Sequence, residues 1–102
     1  MGEKLLRKRL VFEGLVQGVG FRWRARHAAE AVGATGWVRN EPDGSVTMEL
    51  QGTESQIDRV VQLLDQGRYI QSLRMQVRSL PPVPEERSFV TKDDRWCGKA
   101  VV

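Results

Sequence analysis

The stretch GLVQGVGFR, residues 14–22, decides how the chain is organised. The residues before it alternate as in a β-strand, and the residues after it have the spacing of an amphipathic helix. Between these two patterns lie Gly18 and Gly20, and glycine lets the backbone turn with successive N–H groups pointing inward. The start of a helix adds further N–H donors and a positive dipole end. The stretch therefore has the properties of an anion-binding turn.

Arg22 closes this stretch with a planar, permanently charged guanidinium that suits a phosphate group. The alternative interpretation is a tight strand-to-helix turn in which Arg22 is an ordinary exposed charge. Two glycines alone favour that alternative, because short glycine-rich patterns are weak indicators of a ligand. The turn is therefore a candidate site that needs support from the rest of the chain.

The 102 residues and the formal net charge of +3 suit one domain with one modest core. We expect a single domain over residues 1–102, with a folded core at 7–92 and a tail at 93–102. The positive charge favours anionic partners without selecting among a small phosphate, a nucleic acid and no specific partner. The single cysteine, Cys97, excludes an internal disulfide framework and indicates a reducing compartment, so we expect a cytoplasmic protein.

The sequence offers no combination of residues that suggests a metal site or a membrane segment. One histidine and one cysteine make a protein-built zinc site unexpected. No apolar run approaches the length needed to cross a bilayer. We therefore expect no metal, no cofactor and no membrane partner.

Hydrophobic periodicity predicts alternating strands and helices. The predicted strands are residues 7–14, 36–40, 45–51, 70–78 and 88–92. The predicted helices are residues 21–32, ending at Gly33, and a second helix that follows Thr53 and ends at Gly67. Thr53 and Gln56 have the spacing of a capping box at the start of the second helix. Residues 41–44, Glu-Pro-Asp-Gly, predict a turn in which Gly44 is left-handed.

Strict alternation along residues 45–51 predicts that one face of this strand is buried and the other solvated. The predicted inward residues are Val46, Met48 and Leu50, and the outward residues are Ser45, Thr47, Glu49 and Gln51. In the strand at 70–78 the predicted inward residues are Leu73, Met75 and Val77. Trp37 is expected to pack on the sheet, and His27 is expected to face solvent.

These elements predict an α+β fold, a ferredoxin-like βαββαβ sandwich with an antiparallel sheet of four to five strands and two helices on one face. The first helix connects two strands of one sheet, so these strands should be parallel and end at the same edge. Arg22 follows the first of them and Asn40 ends the second. The topology therefore brings Arg22, the glycine turn and Asn40 together, although Asn40 beside Pro42 also reads as a simple turn former.

Two blocks of the sequence, GLVQGVGFR at residues 14–22 and GWVRNEPDGSVTMELQG at residues 36–52, resemble acylphosphatases. The spacing between the blocks, the second helix and the strand that starts at Ser88 are also similar to that family. The resemblance covers about residues 9–92 and leaves out the tail. Two blocks in register are far more specific than either block alone.

The resemblance implies metal-independent hydrolysis of the carboxyl–phosphate bond of acyl phosphates to a carboxylate and phosphate. In that family the arginine that ends the first block binds the phosphate, here Arg22. The asparagine that ends the strand holds the attacking water, here Asn40. The loop amides that surround the phosphate belong here to Gln17, Gly18, Val19, Gly20 and Phe21.

The chemistry of these residue types agrees with that implication. Phosphoryl transfer depends on positioning and charge stabilisation more than on covalent help, and amides, an arginine and an asparagine supply both. The sequence offers no obvious general acid, since His27 lies away from the turn on the helix. A carboxylate leaves without protonation, so the residues suit acyl phosphates better than phosphate esters.

A ferredoxin-like nucleic-acid-binding module is the main alternative, because such sheets with basic surfaces bind RNA. Those modules carry stacking aromatics on the open face of the sheet, whereas the predicted solvated face of strand 45–51 has none and carries Glu49. An interaction domain without catalysis is a further alternative, against which Arg22 and Asn40 argue. We expect a monomer that binds a small acyl phosphate, with inorganic phosphate or sulfate in the anion site and no specific nucleic acid.

Overall fold

The computed structural model describes residues 4–13, 20–65 and 74–92. These residues form five strands and two helices. In chain order they are β1 (Leu6–Glu13), α1 (Phe21–Val32), β2 (Thr35–Asn40), β3 (Val46–Gly52), α2 (Glu54–Asp65), β4 (Arg74–Leu80) and β5 (Phe89–Lys92). None of the helices in these ranges has the length and apolar character needed to cross a membrane.

The strands form one sheet in the order β4-β1-β3-β2-β5. β1 is antiparallel to β3 and β4, and β3 is antiparallel to β2, so β1 and β2 run in the same direction as predicted. The ferredoxin-like fold is confirmed, and the fifth strand is present. β5 pairs with β2 in parallel, which makes the sheet mixed rather than purely antiparallel. The reason is that β4 runs opposite to β2 and the chain reverses direction before β5.

The core lies between the sheet and the two helices, as the apolar spacing predicts. β1, β2 and β3 contribute Leu10, Phe12, Val38, Val46, Met48 and Leu50. The helices contribute Phe21, Ala25, Ala28, Ala29, Ile57, Val60 and Leu64. The alanines on α1 allow the helix to approach the sheet closely, and burial of these apolar side chains is the main force that holds the layers together.

The end of α1 and the start of α2 follow the predicted signals, whereas the predicted end of the second helix at Gly67 lies outside the described residues. Gly33 ends α1 in the left-handed conformation, with φ of 80°. At the start of α2 the amide of Gln56 donates to the Thr53 hydroxyl over 3.1 Å, and the amide of Thr53 donates to Gln56 Oε1 over 2.8 Å. This reciprocal pair is a capping box and confirms the prediction. In the turn before β3, Gly44 has φ of 94° and donates to the carbonyl of Glu41.

The prediction that the outer face of β3 is solvated is wrong. Thr47, Glu49 and Gln51 are buried, although they lie on the face away from the helices. β3 is the central strand of the sheet, and residues 81–88 cross over part of this face on their way from β4 to β5. We call residues 81–88 the strap. Alternation along a strand indicates which residues share a face. It does not indicate whether a segment distant in sequence, here the strap, covers that face.

The predicted inward residues of the fourth strand that the structure describes, Met75 and Val77, lie on the core face but are not buried. Met75 and Val77 are 43% and 49% exposed. Their register partners on β1 are Phe12 and Leu10, so they do lie on the core face. β4 is an edge strand, and a cavity of about 330 Å³ separates these side chains from α2. The predicted residues 70–73 of this strand, including Leu73, lie outside the described ranges.

Candidate active site

The candidate site begins where α1 starts. Gly20 precedes the helix in the left-handed conformation, with φ of 78°. The Phe21 side chain is only 3% exposed, and its ring meets Phe12 edge-on with the centroids 4.9 Å apart. This contact fixes the first turn of α1 against the end of β1. Because its ring is in the core, Phe21 can meet a ligand only through its backbone.

The first turn of α1 carries N–H groups that the helix itself does not bond. The first amide bond of the helix runs from Arg24 N to the carbonyl of Gly20 over 3.0 Å. The helix therefore supplies no acceptor for the amides of Phe21, Arg22 and Trp23. No acidic residue lies in the first turn, so the positive end of the dipole is not offset within α1. Such a helix start attracts an anion.

Arg22 is half-buried, and one hydrogen bond to another described residue holds its guanidinium. Its Nη1 donates to the carbonyl oxygen of Lys92 over 3.2 Å. In the ranges that the structure describes, the guanidinium has no other hydrogen-bond partner. A guanidinium has five N–H donors, so most of them remain for a ligand.

Asn40 is the last residue of β2 and lies on the same face of the strand as Val38, toward α1. Its side-chain amide has no hydrogen-bond partner among the described residues. The turn that follows is tightly held, because Glu41 N donates to the Ser45 carbonyl over 2.8 Å. A half-buried amide that has no partner among the described residues is suited to hold a water molecule or a substrate oxygen.

Arg22 and Asn40 lie at the same end of the sheet. Lys92, which accepts the hydrogen bond from Arg22, is the register partner of Arg39, the residue before Asn40. α1 packs against both β2 and β5 on this face. The structure therefore places Gly20, Phe21, Arg22 and Asn40 around one end of the sheet. The predicted loop residues Gln17, Gly18 and Val19 lie outside the described ranges.

The turn beside Asn40 is further held by Asp43. The carboxylate Oδ1 accepts hydrogen bonds from the Ser45 hydroxyl at 2.6 Å and from the Ser45 amide at 2.9 Å. Both contacts lower the pKa of Asp43 below its ordinary value, and the hydroxyl contact is the larger cause. The charged form of Asp43 therefore stabilises the turn that follows Asn40.

Two further cations lie at this end of the sheet, on the outer face. Lys92 Nζ lies 4.4 Å from the ring centroid of Trp37, and the guanidinium carbon of Arg39 lies 5.2 Å from it. Arg39 also forms an ion pair with Glu41 at 3.0 Å. Trp37 thus packs on the sheet beside two cations, and the positive charge near the site exceeds what Arg22 alone supplies.

One contact of the site, the carbonyl of Lys92, was missed by the sequence reasoning. No residue type predicts it, because any residue at that position offers the same carbonyl oxygen. Only the register of β5 against β2 places it under Arg22. The contact could have been predicted only if the parallel pairing of β5 with β2 had been known.

Among the described residues, groups suited to metal chemistry or proton transfer do not gather at this site. Within residues 4–13, 20–65 and 74–92, no set of three or more His, Cys, Asp or Glu side chains could hold a metal ion. His27 is exposed, as predicted, and its ring lies 3.8 Å from that of Trp23 on the outer side of α1. The residues at the site can bind an anion and orient a water molecule.

Comparison with known proteins assigns the family. The sequence model of the acylphosphatase family matches residues 8–91. The chain is 38% identical over 84 residues to an acylphosphatase of Geobacillus thermodenitrificans, covering 81% of this chain and 89% of that protein. It is 42% identical over 83 residues to an acylphosphatase of Bordetella parapertussis, covering 81% of each.

A solved structure agrees with these relatives. The crystal structure of an acylphosphatase from Bacillus subtilis superposes with a TM-score of 0.75 at 27% sequence identity. The match covers 85% of this chain and 98% of the Bacillus protein. The likeness therefore extends over nearly the whole of that fold.

Proposed function

The chain belongs to the acylphosphatase family of enzymes, and from this premise we propose that it hydrolyses acyl phosphates through Arg22, Asn40 and the amides that lead into α1. One observation carries the assignment of roles. The guanidinium of Arg22 is bonded to the end of β5, one register position from Asn40, beside a helix start whose amides lack helical acceptors. A phosphoryl group bound there would have a water-binding amide beside it.

Arg22 and the amides bind the phosphoryl group in this proposal. The amides of Gly20 and Phe21, with those of Gln17, Gly18 and Val19, surround the equatorial oxygens. The free N–H groups of Arg22 bind the same oxygens and stabilise the charge that develops in the transition state. The bond from Arg22 to Lys92 holds the guanidinium in place, so that little reorganisation is needed when the substrate binds.

Asn40 orients the attacking water. The water oxygen forms a bond to phosphorus as the bond between phosphorus and the carboxyl oxygen breaks. An acyl phosphate dianion and water yield a carboxylate monoanion and a dihydrogen phosphate monoanion, so both protons of the water remain on the phosphate. No protein acid is required, because the leaving carboxylate is already a stable anion.

This division of roles favours acyl phosphates over phosphate esters. An alkoxide leaving group needs a proton from a general acid. His27 lies on the outer side of α1, against Trp23, and cannot serve as that acid at this site. We therefore place the reaction at the carboxyl–phosphate bond.

The nucleic-acid alternative receives no support from the sheet. The outer face of β3, where such a module would stack bases, is buried. Trp37 is already covered by Lys92 and Arg39. We propose a monomeric, cytoplasmic enzyme whose site also takes inorganic phosphate or sulfate.

The test is the loss of benzoyl phosphate in the presence of the purified protein, with and without EDTA. We expect acceleration over buffer that EDTA leaves unchanged, and competitive inhibition by inorganic phosphate. Benzyl phosphate, an ester with the same ring but an alkoxide leaving group, serves as the control substrate and should be turned over far more slowly. A protein that does not accelerate the loss of benzoyl phosphate would contradict the proposal.

A further inference from the structure

The strap, residues 81–88, is held to the outer face of the sheet by buried polar contacts. Glu86 is its main anchor. Arg7 donates from Nη1 to Glu86 Oε1 over 2.8 Å and from Nη2 to Glu86 Oε2 over 3.2 Å. The Thr35 hydroxyl donates to Glu86 Oε1 over 2.7 Å. One carboxylate of the strap therefore joins β1 to β2.

Arg7 itself is deeply buried. It is 4% exposed and also donates from Nε to Glu49 Oε1 over 2.9 Å. Burial by itself lowers the pKa of Arg7, but the hydrogen bonds and charges of Glu86 and Glu49 outweigh burial and raise it. Replacing a buried ion pair with apolar residues often leaves stability unchanged, and in some proteins such pairs serve chiefly to specify one geometry. Here the geometry specified is the path of the strap.

A second anchor holds the strap through its backbone. The side chain of Gln51 donates from Nε2 to the carbonyl of Val83 over 2.9 Å, and its Oε1 accepts from the amide of Val83 over 2.7 Å. The amide side chain thus pairs with the strap as a neighbouring strand would. Gln51 is buried, so this contact is shielded from water.

The strap leads directly into β5, the strand whose Lys92 carbonyl accepts the hydrogen bond from Arg22. The carbonyl of Ser88 accepts from the amide of Gly36, at 3.1 Å, where β5 begins its pairing with β2. β5 has four residues, from Phe89 to Lys92, and among the described strands it pairs with β2 alone. So short an edge strand makes few ladder hydrogen bonds of its own, and its position depends on the segment before it. Lys92 lies about 10 Å along the strand from Phe89, at the end that accepts from Arg22.

We propose that Glu86 is a positioning residue for Arg22: it fixes the strap, the strap fixes β5, and the carbonyl of Lys92 then fixes the guanidinium. The proposal rests on the role of Arg22 given above. It adds that the affinity for the phosphoryl group is set partly from the opposite end of the sheet, by Arg7, Thr35 and Glu86.

The experiment compares wild-type protein with Glu86→Gln, Thr35→Ala and Glu30→Gln. Glu30→Gln is the matched control, because it removes the same charge from an exposed pair with Arg26. The readouts are the NMR cross-peak of the Arg22 Nε–H group, KM for benzoyl phosphate, the inhibition constant of inorganic phosphate, kcat and the melting temperature.

We expect Glu86→Gln to shift the Arg22 cross-peak and to raise both KM and the phosphate inhibition constant by about two- to tenfold, with a smaller change in kcat. Thr35→Ala removes one of the contacts to Glu86 and should act in the same direction with a smaller effect. Glu30→Gln should leave all readouts at their wild-type values.

A folded Glu86→Gln variant with a lower melting temperature but an unchanged Arg22 cross-peak and phosphate inhibition would overturn the proposal, since Glu86 would then be merely structural. If Glu86→Gln does not fold, Thr35→Ala decides by the same criterion. Wild-type protein that does not hydrolyse benzoyl phosphate would contradict the proposed function instead, and the Arg22 cross-peak would still decide the role of Glu86.

Discussion

The guanidinium of Arg22, on the first turn of α1, is bonded at 3.2 Å to the main-chain carbonyl of Lys92 at the end of β5. This bond joins the helix layer to the edge of the sheet at the end where β2 finishes with Asn40. Among the described residues this bond uses one N–H group of the guanidinium and leaves the other N–H groups for a ligand. Arg22 therefore has two partners in the proposed mechanism, a fixed carbonyl and the phosphoryl group.

Replacement of Arg22 should damage both binding and turnover. We expect Arg22→Ala to raise KM, weaken inhibition by phosphate and lower kcat, the latter by about 10²–10³. Arg22→Lys should rescue poorly, because one ammonium cannot bond both the Lys92 carbonyl and a phosphate in the geometry of a fork. Steady-state kinetics with phosphate inhibition tests this. Arg26→Ala, on the same helix, is the control, and full activity in Arg22→Lys would contradict the assignment.

Gly20 and Gly33 lie at the two ends of α1, and replacing each in turn distinguishes an effect on the site from an effect on the stability of the helix. Both are left-handed, with φ of 78° and 80°, so alanine should strain either position by about 1 kcal/mol. A Cβ on Gly20 meets no described atom within 4 Å, whereas a Cβ on Gly33 makes ordinary contact with Gln56 at 3.5 Å.

We expect similar losses of stability in Gly20→Ala and Gly33→Ala, and a loss of activity of about tenfold or more only in Gly20→Ala, since its methyl group would crowd the anion. Melting curves and kinetics of the two variants provide the measurement. Equal activity in both would indicate that Gly20 only shapes the turn.

The buried Arg7 should matter far more for stability than an exposed arginine. Arg7→Ala removes the partner that the carboxylates of Glu49 and Glu86 share. Glu49 keeps its ion pair with Arg9, so we expect a loss of about 3 kcal/mol, at the low end for a broken buried pair. Arg26→Ala, which breaks an exposed pair with Glu30, should cost about 0.5 kcal/mol or less. Urea unfolding of both variants tests the difference. Similar midpoints would show that the buried network contributes little.

The stabilising effect of Asp43 should be confined to pH values at which its carboxyl is charged. Its pKa is lowered in the folded state, so its contribution is present above the ordinary value of 3.8 and is lost as the pH falls below it. Asp43→Asn should therefore melt below wild type at pH 7, and the difference should shrink in strong acid. Asp58→Asn, at an exposed position on α2, is the control. A difference that is independent of pH would contradict the role of the charge.

The inner face of the fold could be predicted because it depends on local pattern. Val46, Met48 and Leu50 alternate in sequence and are buried, and the Thr53–Gln56 capping box needs only residues three apart. The burial of Glu49 and the exposure of Val77 could not be predicted in this way. The burial of Glu49 depends on charged partners and a strap that are distant in sequence. The exposure of Val77 depends on where the helices stop covering the sheet.

Only part of the candidate site could likewise be predicted from the sequence. Arg22 and Asn40 were expected at one edge because a helix between parallel strands returns the chain to the same edge, and the structure places them there. The bond from Arg22 to Lys92 depends on strand register, which no residue type encodes. The roles of Gln17, Gly18 and Val19 stay predictions.

The central claim is that Asn40 orients the attacking water while Arg22 and the amides bind the phosphoryl group. Its most direct test is the steady-state kinetics of Asn40→Ala with benzoyl phosphate, together with phosphate inhibition and a melting curve. Because an interaction with the attacking water contributes mainly in the transition state, kcat should fall by about 10²–10³ while KM, phosphate inhibition and the melting temperature stay near the wild-type values. A variant that mainly raises KM, or that lowers the melting temperature with its kinetics intact, would contradict the account.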